Sequence, residues 1–261
     1  MLTVVDDGLV IKGDSMIYGL ACDGSSDSTL VLWPFKGEPL SISCIDAKRA
    51  GQVMGKPEIG DWVGVIVDSS DSTEATLVLN LDEMKGTWTY PVMPVLKDVQ
   101  HMSKRMQRRF MAQMDDSLKQ TFLIPREYGF VLKRSHKAEA VGRVRRTTTL
   151  EDDSPVTYPE VKNYKKWYTC NGKLLLVSGQ FHIVGDKAPK QVPDVVDTMT
   201  FVKMQGDSLI LSQHGVNYHF HRQASAAAAN AAAQAAVAKQ DQKKEESERS
   251  SKEDADTIKK Q

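Results

Sequence analysis

The chain has 261 residues, of which 41% are hydrophobic, 26% charged and 7% aromatic, so collagen-like, fully disordered and disulfide-scaffold proteins are excluded and one large or two ordinary domains are expected. Its net charge of zero hides an asymmetry: residues 1–100 carry 7 Lys/Arg against 15 Asp/Glu, residues 101–150 carry 12 against 4, and the remainder is balanced. A swing of that size between neighbouring segments steers partners or joins parts of an assembly, and is not expected of an evenly solvated surface.

Residues 1–95 read as an acidic, β-rich domain. Runs at 2–5 and 9–12 flank Asp7-Gly8, a pair that tolerates the positive φ of a tight hairpin. Further strands are predicted at 16–21, 29–35, 40–45, 62–67, 75–81 and 87–93, several rich in β-branched and aromatic residues. Short strands with Gly-, Asp- and Ser-rich connections indicate an antiparallel sandwich or small barrel. A weak repeat is embedded here. Ser25-Ser-Asp-Ser-Thr29 leads directly into Leu30-Val-Leu32, and Ser69-Ser-Asp-Ser-Thr73 leads, after Glu74-Ala-Thr76, into Leu77-Val-Leu79. It is consistent with two related β-meanders, or with one good loop sequence used twice.

Residues 96–122 form a basic amphipathic helical connector. Between Val95 and Leu118 there is no Gly or Pro, and Met102, Met106, Phe110, Met114 and Leu118 recur every fourth residue, one apolar stripe of an α-helix whose expected role is core packing. Lys104, Arg105, Arg108 and Arg109 sit beside that stripe.

Residues 123–222 read as a second antiparallel β domain, with strands at 129–133, 138–149, 166–170, 173–177, 180–184, 200–204, 209–212 and 216–221. Asn171-Gly172 between two strand-like runs is the clearest hairpin signal in the chain. Residues 223–261 are a helical or disordered tail: 11 of the 15 positions from 224 to 238 are alanine, and the rest is mostly charged, with no heptad seam. The fold class is therefore mainly β, two antiparallel β domains of sandwich or small-barrel type joined by the helix.

Chemistry is sparse. The segment Gly51-Gln-Val-Met-Gly55-Lys56 lacks Walker spacing, and no dinucleotide, nucleophile-elbow or zinc-protease motif occurs. The three cysteines, Cys22, Cys44 and Cys170, include no C-x-x-C pair and read as reduced, buried thiols. Spaced carboxylates in the loops 23–28 and 68–74 do not follow the rhythm of a calcium loop, and hairpin loops capped by their own side chains are expected. His182, His219 and His221 are weak candidates for a metal site. Alternation along the last strand makes Val216, Tyr218 and Phe220 the core side, so His219 and His221 are expected to face solvent. No cofactor is expected.

The strongest pointer is the basic stretch Lys104, Arg105, Arg108, Arg109, Arg134, Arg143, Arg145 and Arg146, followed by Lys162, Lys165, Lys166, Trp167 and Tyr168. Clustered guanidinium groups with aromatics suit a phosphate-tracking surface, but the acidic neighbour and the neutral pI suit packing against other protein subunits better. The expectation is a non-enzymatic structural or adaptor subunit of a homo- or hetero-oligomer, for which virion and phage-particle components are a fold-level analogy. The alternative is a nucleic-acid-binding accessory protein using the 104–146 cluster, and a third reading is a metal-dependent enzyme around the three histidines. With no apolar run near the roughly 20 residues of a membrane span, and a first octet resembling no signal or transit peptide, no membrane partner is expected and the location is cytoplasmic or within an assembled particle.

Overall fold

Strand alternation in the first ninety residues builds a six-stranded sheet. Its strands are β1 (Ile17–Ala21), β2 (Thr29–Pro34), β3 (Leu40–Ser43), β4 (Val53–Met54), β5 (Trp62–Val67) and β6 (Ala75–Asn80), with a short helix α1 (Ile45–Arg49) between β3 and β4. The order is β3-β2-β1-β5-β6-β4, antiparallel except for β4 beside β6. A parallel bridge between Ser43 and Glu74 brings the end of β3 to the start of β6, so the sheet curls towards closure. Every second residue faces inward, and Leu30, Leu32, Ile42, Val63, Val65 and Val78 make one core, with Ala47 of α1 packed into it. The computed structural model describes residues 13–97, 102–113, 123–142, 156–179, 181–182, 190–191, 194–225 and 228. The predicted strands at 2–5 and 9–12 lie outside these.

The two copies of the repeat occupy equivalent hairpins. The first is β1–loop–β2 and the second β5–loop–β6, set side by side by the antiparallel β1–β5 pairing. Both loops are capped by their own side chains, as expected. Ser26 Oγ accepts from the Thr29 amide (3.2 Å) in one, and Asp71 Oδ1 accepts from the Thr73 amide (2.9 Å) in the other. The insertion Glu74-Ala-Thr76 has an odd number of residues, and an odd shift turns every side chain to the opposite face. Leu30 and Leu32 accordingly enter the first core, whereas Leu77 and Leu79 point outward into a second one.

From Leu81 onward the elements are α2 (Leu81–Met84), β7 (Gly86–Val92), β8 (Val95–Leu96), α3 (Lys104–Gln113), β9 (Arg126–Leu132), β10 (Ala138–Val141), β11 (Val156–Thr157), β12 (Tyr164–Cys170), β13 (Lys173–Ser178), β14 (Phe181–His182), β15 (Lys190–Gln191), β16 (Val195–Gln205), β17 (Ser208–Gln213) and β18 (Val216–Gln223). Eight of them form a sheet of order β10-β9-β7-β18-β17-β16-β13-β12. An antiparallel bridge between Lys137 and Lys166 joins its two edges, making a nearly closed barrel. Closure abolishes the open edges that would otherwise invite pairing with another chain. At the seam Trp167 Nε1 donates to the Lys133 carbonyl (2.8 Å), the Trp167 amide to the His136 carbonyl (2.8 Å), and His136 Nδ1 meets the Trp167 carbonyl at 3.1 Å. Ser135 and His136, both at φ 57°, take the left-handed conformation that costs a non-glycine residue about 1–2 kcal/mol.

The barrel is filled with side chains. Trp88, Phe130, Trp167, Leu174, Leu176, Leu209, Leu211 and Phe220 share one core with Met16, Met54, Leu77 and Leu79 of the first sheet, so the two sheets stack as a sandwich. At the hairpin Asn171-Gly172 both residues have positive φ (49° and 68°), the turn this dipeptide predicts. A Cβ on Gly172 would lie 2.6 Å from Leu77 Cδ2, so only glycine fits under that leucine. The tip is held by Gly13-Asp-Ser15: Asn171 Oδ1 accepts from the Ser15 amide (2.8 Å) and hydroxyl (2.7 Å), and its amide donates to the Gly13 carbonyl (3.0 Å).

Helix α2 is a second point of attachment. Asn80, 1% exposed, caps it by accepting from the Asp82 and Glu83 amides while donating to Asp61 Oδ2 (2.7 Å) and the Lys56 carbonyl (2.9 Å). At its other end Arg222 donates to the carbonyls of Glu83 (2.6 Å) and Lys85 (2.8 Å) and lies 4.2 Å from the Trp88 ring centre.

The described residues fall into two compact units, one drawn from Met1–Tyr90, Gly129–Ala140 and Lys162–Ala224, the other from Pro91–Tyr128, Val141–Val161 and Ser225–Gln261. The sheets above belong mainly to the first. In the second, β8 pairs with β11 over a small core of Leu96 and Val156, Tyr158 donates to the Ile124 carbonyl (2.6 Å), and the Arg126 guanidinium lies 3.6 Å from the Tyr158 ring centre.

Candidate interaction surfaces

Helix α3 carries four of the eight basic candidates. Its sequence KRMQRRFMAQ contains no acidic residue, and Arg105, Arg108 and Arg109 are exposed. Of the predicted apolar stripe, Met106 is 51% exposed and Met102, just before the helix, 37%, so these two do not serve as core. Every described side chain from 102 to 113 is exposed. Lys104 and Phe110 lie in the same helix with side chains that are not described; Met114 and Leu118, the last two members of the predicted stripe, lie outside the described residues, as do Arg143, Arg145 and Arg146.

Arg134 is in the first unit, exposed at the turn between β9 and β10. It acts on Asp82: burial opposes ionisation of that carboxyl, but the Lys85 ammonium, the Trp62 amide and the charge of Arg134 together hold it below the usual carboxylate range. The residues expected to follow the basic cluster are tied up. Trp167 and Tyr168 are buried at 3% and 5% exposure and offer no stacking platform. Lys162 pairs with the buried Asp197 (2.6 Å), and Lys165 with Asp194 (3.4 Å).

His219 and His221 are exposed on β18 with Phe220 buried between them, as alternation requires, whereas His182 lies on β14, which pairs with β15 in a separate two-stranded sheet. His221 Nε2 already accepts from the Gln223 amide at 2.8 Å. Among the described residues no group of three or more His, Cys, Asp or Glu side chains is placed to hold a metal ion. Cys44 and Cys170 are buried free thiols and Cys22 is half-buried; burial pushes the first two thiols up, so thiolate chemistry is disfavoured there.

One surface was not anticipated. On the outer face of the first sheet Leu20 pairs with Trp33 on one side and Trp62 on the other, and directly opposed residues share a face. Phe35 stacks on Trp62 with ring centres 4.7 Å apart and planes at 21°. Trp33 is 57% exposed and Phe35 48%, and Ile59 in the neighbouring loop is exposed as well. Close in sequence to the strip's residues stand the exposed Asp23, Glu38 and Glu58, with Lys36 the cation next to Phe35; Asp61, beside Trp62, is taken up by the Asn80 side chain and the Glu58 amide. Alternation held the signal: inward Leu30 and Leu32, and inward Val63 and Val65, oblige Trp33 and Trp62 to face out.

No known family profile matches the chain, and no curated protein matches it in sequence. Among solved structures it is similar to a lipocalin-like protein from Bacteroides thetaiotaomicron, with 17% identity, a TM-score of 0.28, and coverage of 53% of this chain and 94% of that one.

Proposed function

We infer that the protein is a non-enzymatic structural or adaptor subunit of a larger assembly, such as a virion or phage particle, that packs through complementary acidic and basic surfaces. The observation that carries this reading is helix α3, which holds Arg105, Met106, Arg108 and Arg109 open to solvent, in a chain whose first hundred residues hold an excess of eight carboxylates. In this reading the acidic segment 1–95 and the basic connector 96–122 supply the two complementary surfaces, 123–222 completes the β scaffold, and the tail 223–261 reaches a partner. Light scattering at low and high ionic strength tests it. Association at low salt that weakens as salt screens the charges supports the proposal, and a monomer at every concentration and ionic strength, alone and with lysate, removes it.

A nucleic-acid-binding accessory role is the second reading, supported by the exposure of Arg105, Arg108 and Arg109 and weakened by the burial of Trp167 and Tyr168. Filter binding across a salt series tests it. Retention that disappears on replacing the three arginines by alanine favours it over subunit packing.

A further inference from the structure

We propose that the aromatic strip Trp33–Leu20–Trp62–Phe35 is the acceptor for helix α3 of a second copy of this chain. The inference rests on the assembly reading and specifies which two surfaces meet. Its basis is that the strip and the helix are each incomplete in a complementary sense. The strip presents the exposed Trp33 indole and the Phe35 ring stacked on a half-buried Trp62, in the segment of the chain that carries the excess of carboxylates, among them the exposed Asp23, Glu38 and Glu58. The helix presents the exposed thioether of Met106 beside the i,i+4 pair Arg105 and Arg109, with Met102 exposed just before its first turn. Guanidinium groups stack on Trp faces more favourably than on any other side chain, sulfur packs against aromatic edges, and carboxylates receive the remaining N–H donors in paired fashion. A segment with eight more carboxylates than cations and an exposed indole disfavours nucleic acid and suits a cationic, thioether-bearing helix. Docking removes the exposed Trp33 ring and the exposed Met106 side chain from water together. The contact joins two different patches and is therefore heterologous: it generates a ring if the rotation closes and a filament if it does not.

Two full-length variants separate this pairing from association in general. The first is Trp33→Ala with Phe35→Ala, and the second is Arg105→Glu with Arg108→Glu and Arg109→Glu. All five positions are exposed, so circular dichroism and the denaturation midpoint are expected to match those of the native chain. Light scattering in low salt is expected to give oligomers for the native protein and monomers for each variant alone, a weakening of at least about 30-fold. Mixed one to one, the variants are expected to pair as a heterodimer, because one retains the helix and the other the strip. Native-like association of either variant alone, or failure of the mixture to pair when both are folded, overturns the inference while leaving the assembly reading intact. If the native chain itself never associates, both fall. Saturable quenching of tryptophan fluorescence by an oligosaccharide or oligothymidine, lost in the first variant while self-association is kept, gives the strip to that ligand and also overturns the inference.

Discussion

Trp88 and Trp33 sit on strands of the same compact unit and do opposite things. Trp88 is fully buried, its Nε1 donates to the Met84 carbonyl at 2.8 Å, and the Arg222 guanidinium covers its ring. Trp33 is 57% exposed, on a face it shares with Leu20 and Trp62, on which Phe35 stacks. The first residue joins the packing of both sheets and α2, whereas the second contributes area that the monomer leaves wet. Stability and recognition are thus carried by different tryptophans, and substitutions at one should leave the property of the other intact.

The largest expected effect is at the buried site. Trp88→Ala should cost about 3–5 kcal/mol, the range for truncating a large aromatic in a packed core, read as a lower denaturant midpoint at unchanged slope. Arg222→Ala follows at about 2 kcal/mol, since two charge-assisted bonds to the Glu83 and Lys85 carbonyls are lost, and the Trp88 ring loses its cover. An equal loss from Asp207→Ala would point instead to the exposed ion pair, which is expected to contribute little.

The barrel seam supplies a pH test. Burial is the main reason the His136 imidazole is held below its ordinary value, and the charges of Lys85 and Lys166 add to it against the opposing bond to the Trp167 carbonyl. The folded state therefore binds that proton less readily than the unfolded chain. Stability from this residue is fully present above the unfolded value of 6.5 and declines as pH falls below it towards the folded value. The denaturation midpoint should drop between pH 7.5 and 5.5, and His136→Asn, which tolerates the positive φ and does not titrate, should flatten that drop. An unchanged slope in the variant would assign the dependence elsewhere. Smallest in stability is Trp33→Ala, expected within about 0.5 kcal/mol of the native chain, with its effect confined to association. A large stability loss there would merge the two roles that the contrast keeps apart.

Much of the scaffold was legible from local pattern. The runs at 62–67 and 173–177 coincide with β5 and most of β13, and Asn171-Gly172 makes the turn its composition predicts, because period-2 burial and positive-φ turn chemistry act over neighbouring residues. The helix was likewise visible, but the exposure of Met106 was not. A four-residue apolar period says that one face is apolar, and has no means of saying whether that face meets a core, a partner or water. The same limit hid the aromatic strip: both tryptophans could be placed facing outward by alternation, yet only the β2-β1-β5 order sets them across one shared leucine.

What the sequence by itself determined, then, was the mainly β class, most strand positions, the capped loops, the outward histidines and the division of charge. The tertiary structure alone decided which strands are neighbours, that Leu77 and Leu79 turn away from the core occupied by Leu30 and Leu32, and that residues before 95 and after 123 fill one common core. The physical reason is range. Propensity, alternation and turn chemistry are set within a few residues, whereas strand order and the face a repeat presents depend on registers between segments far apart in the chain, where a three-residue insertion suffices to reverse the outcome.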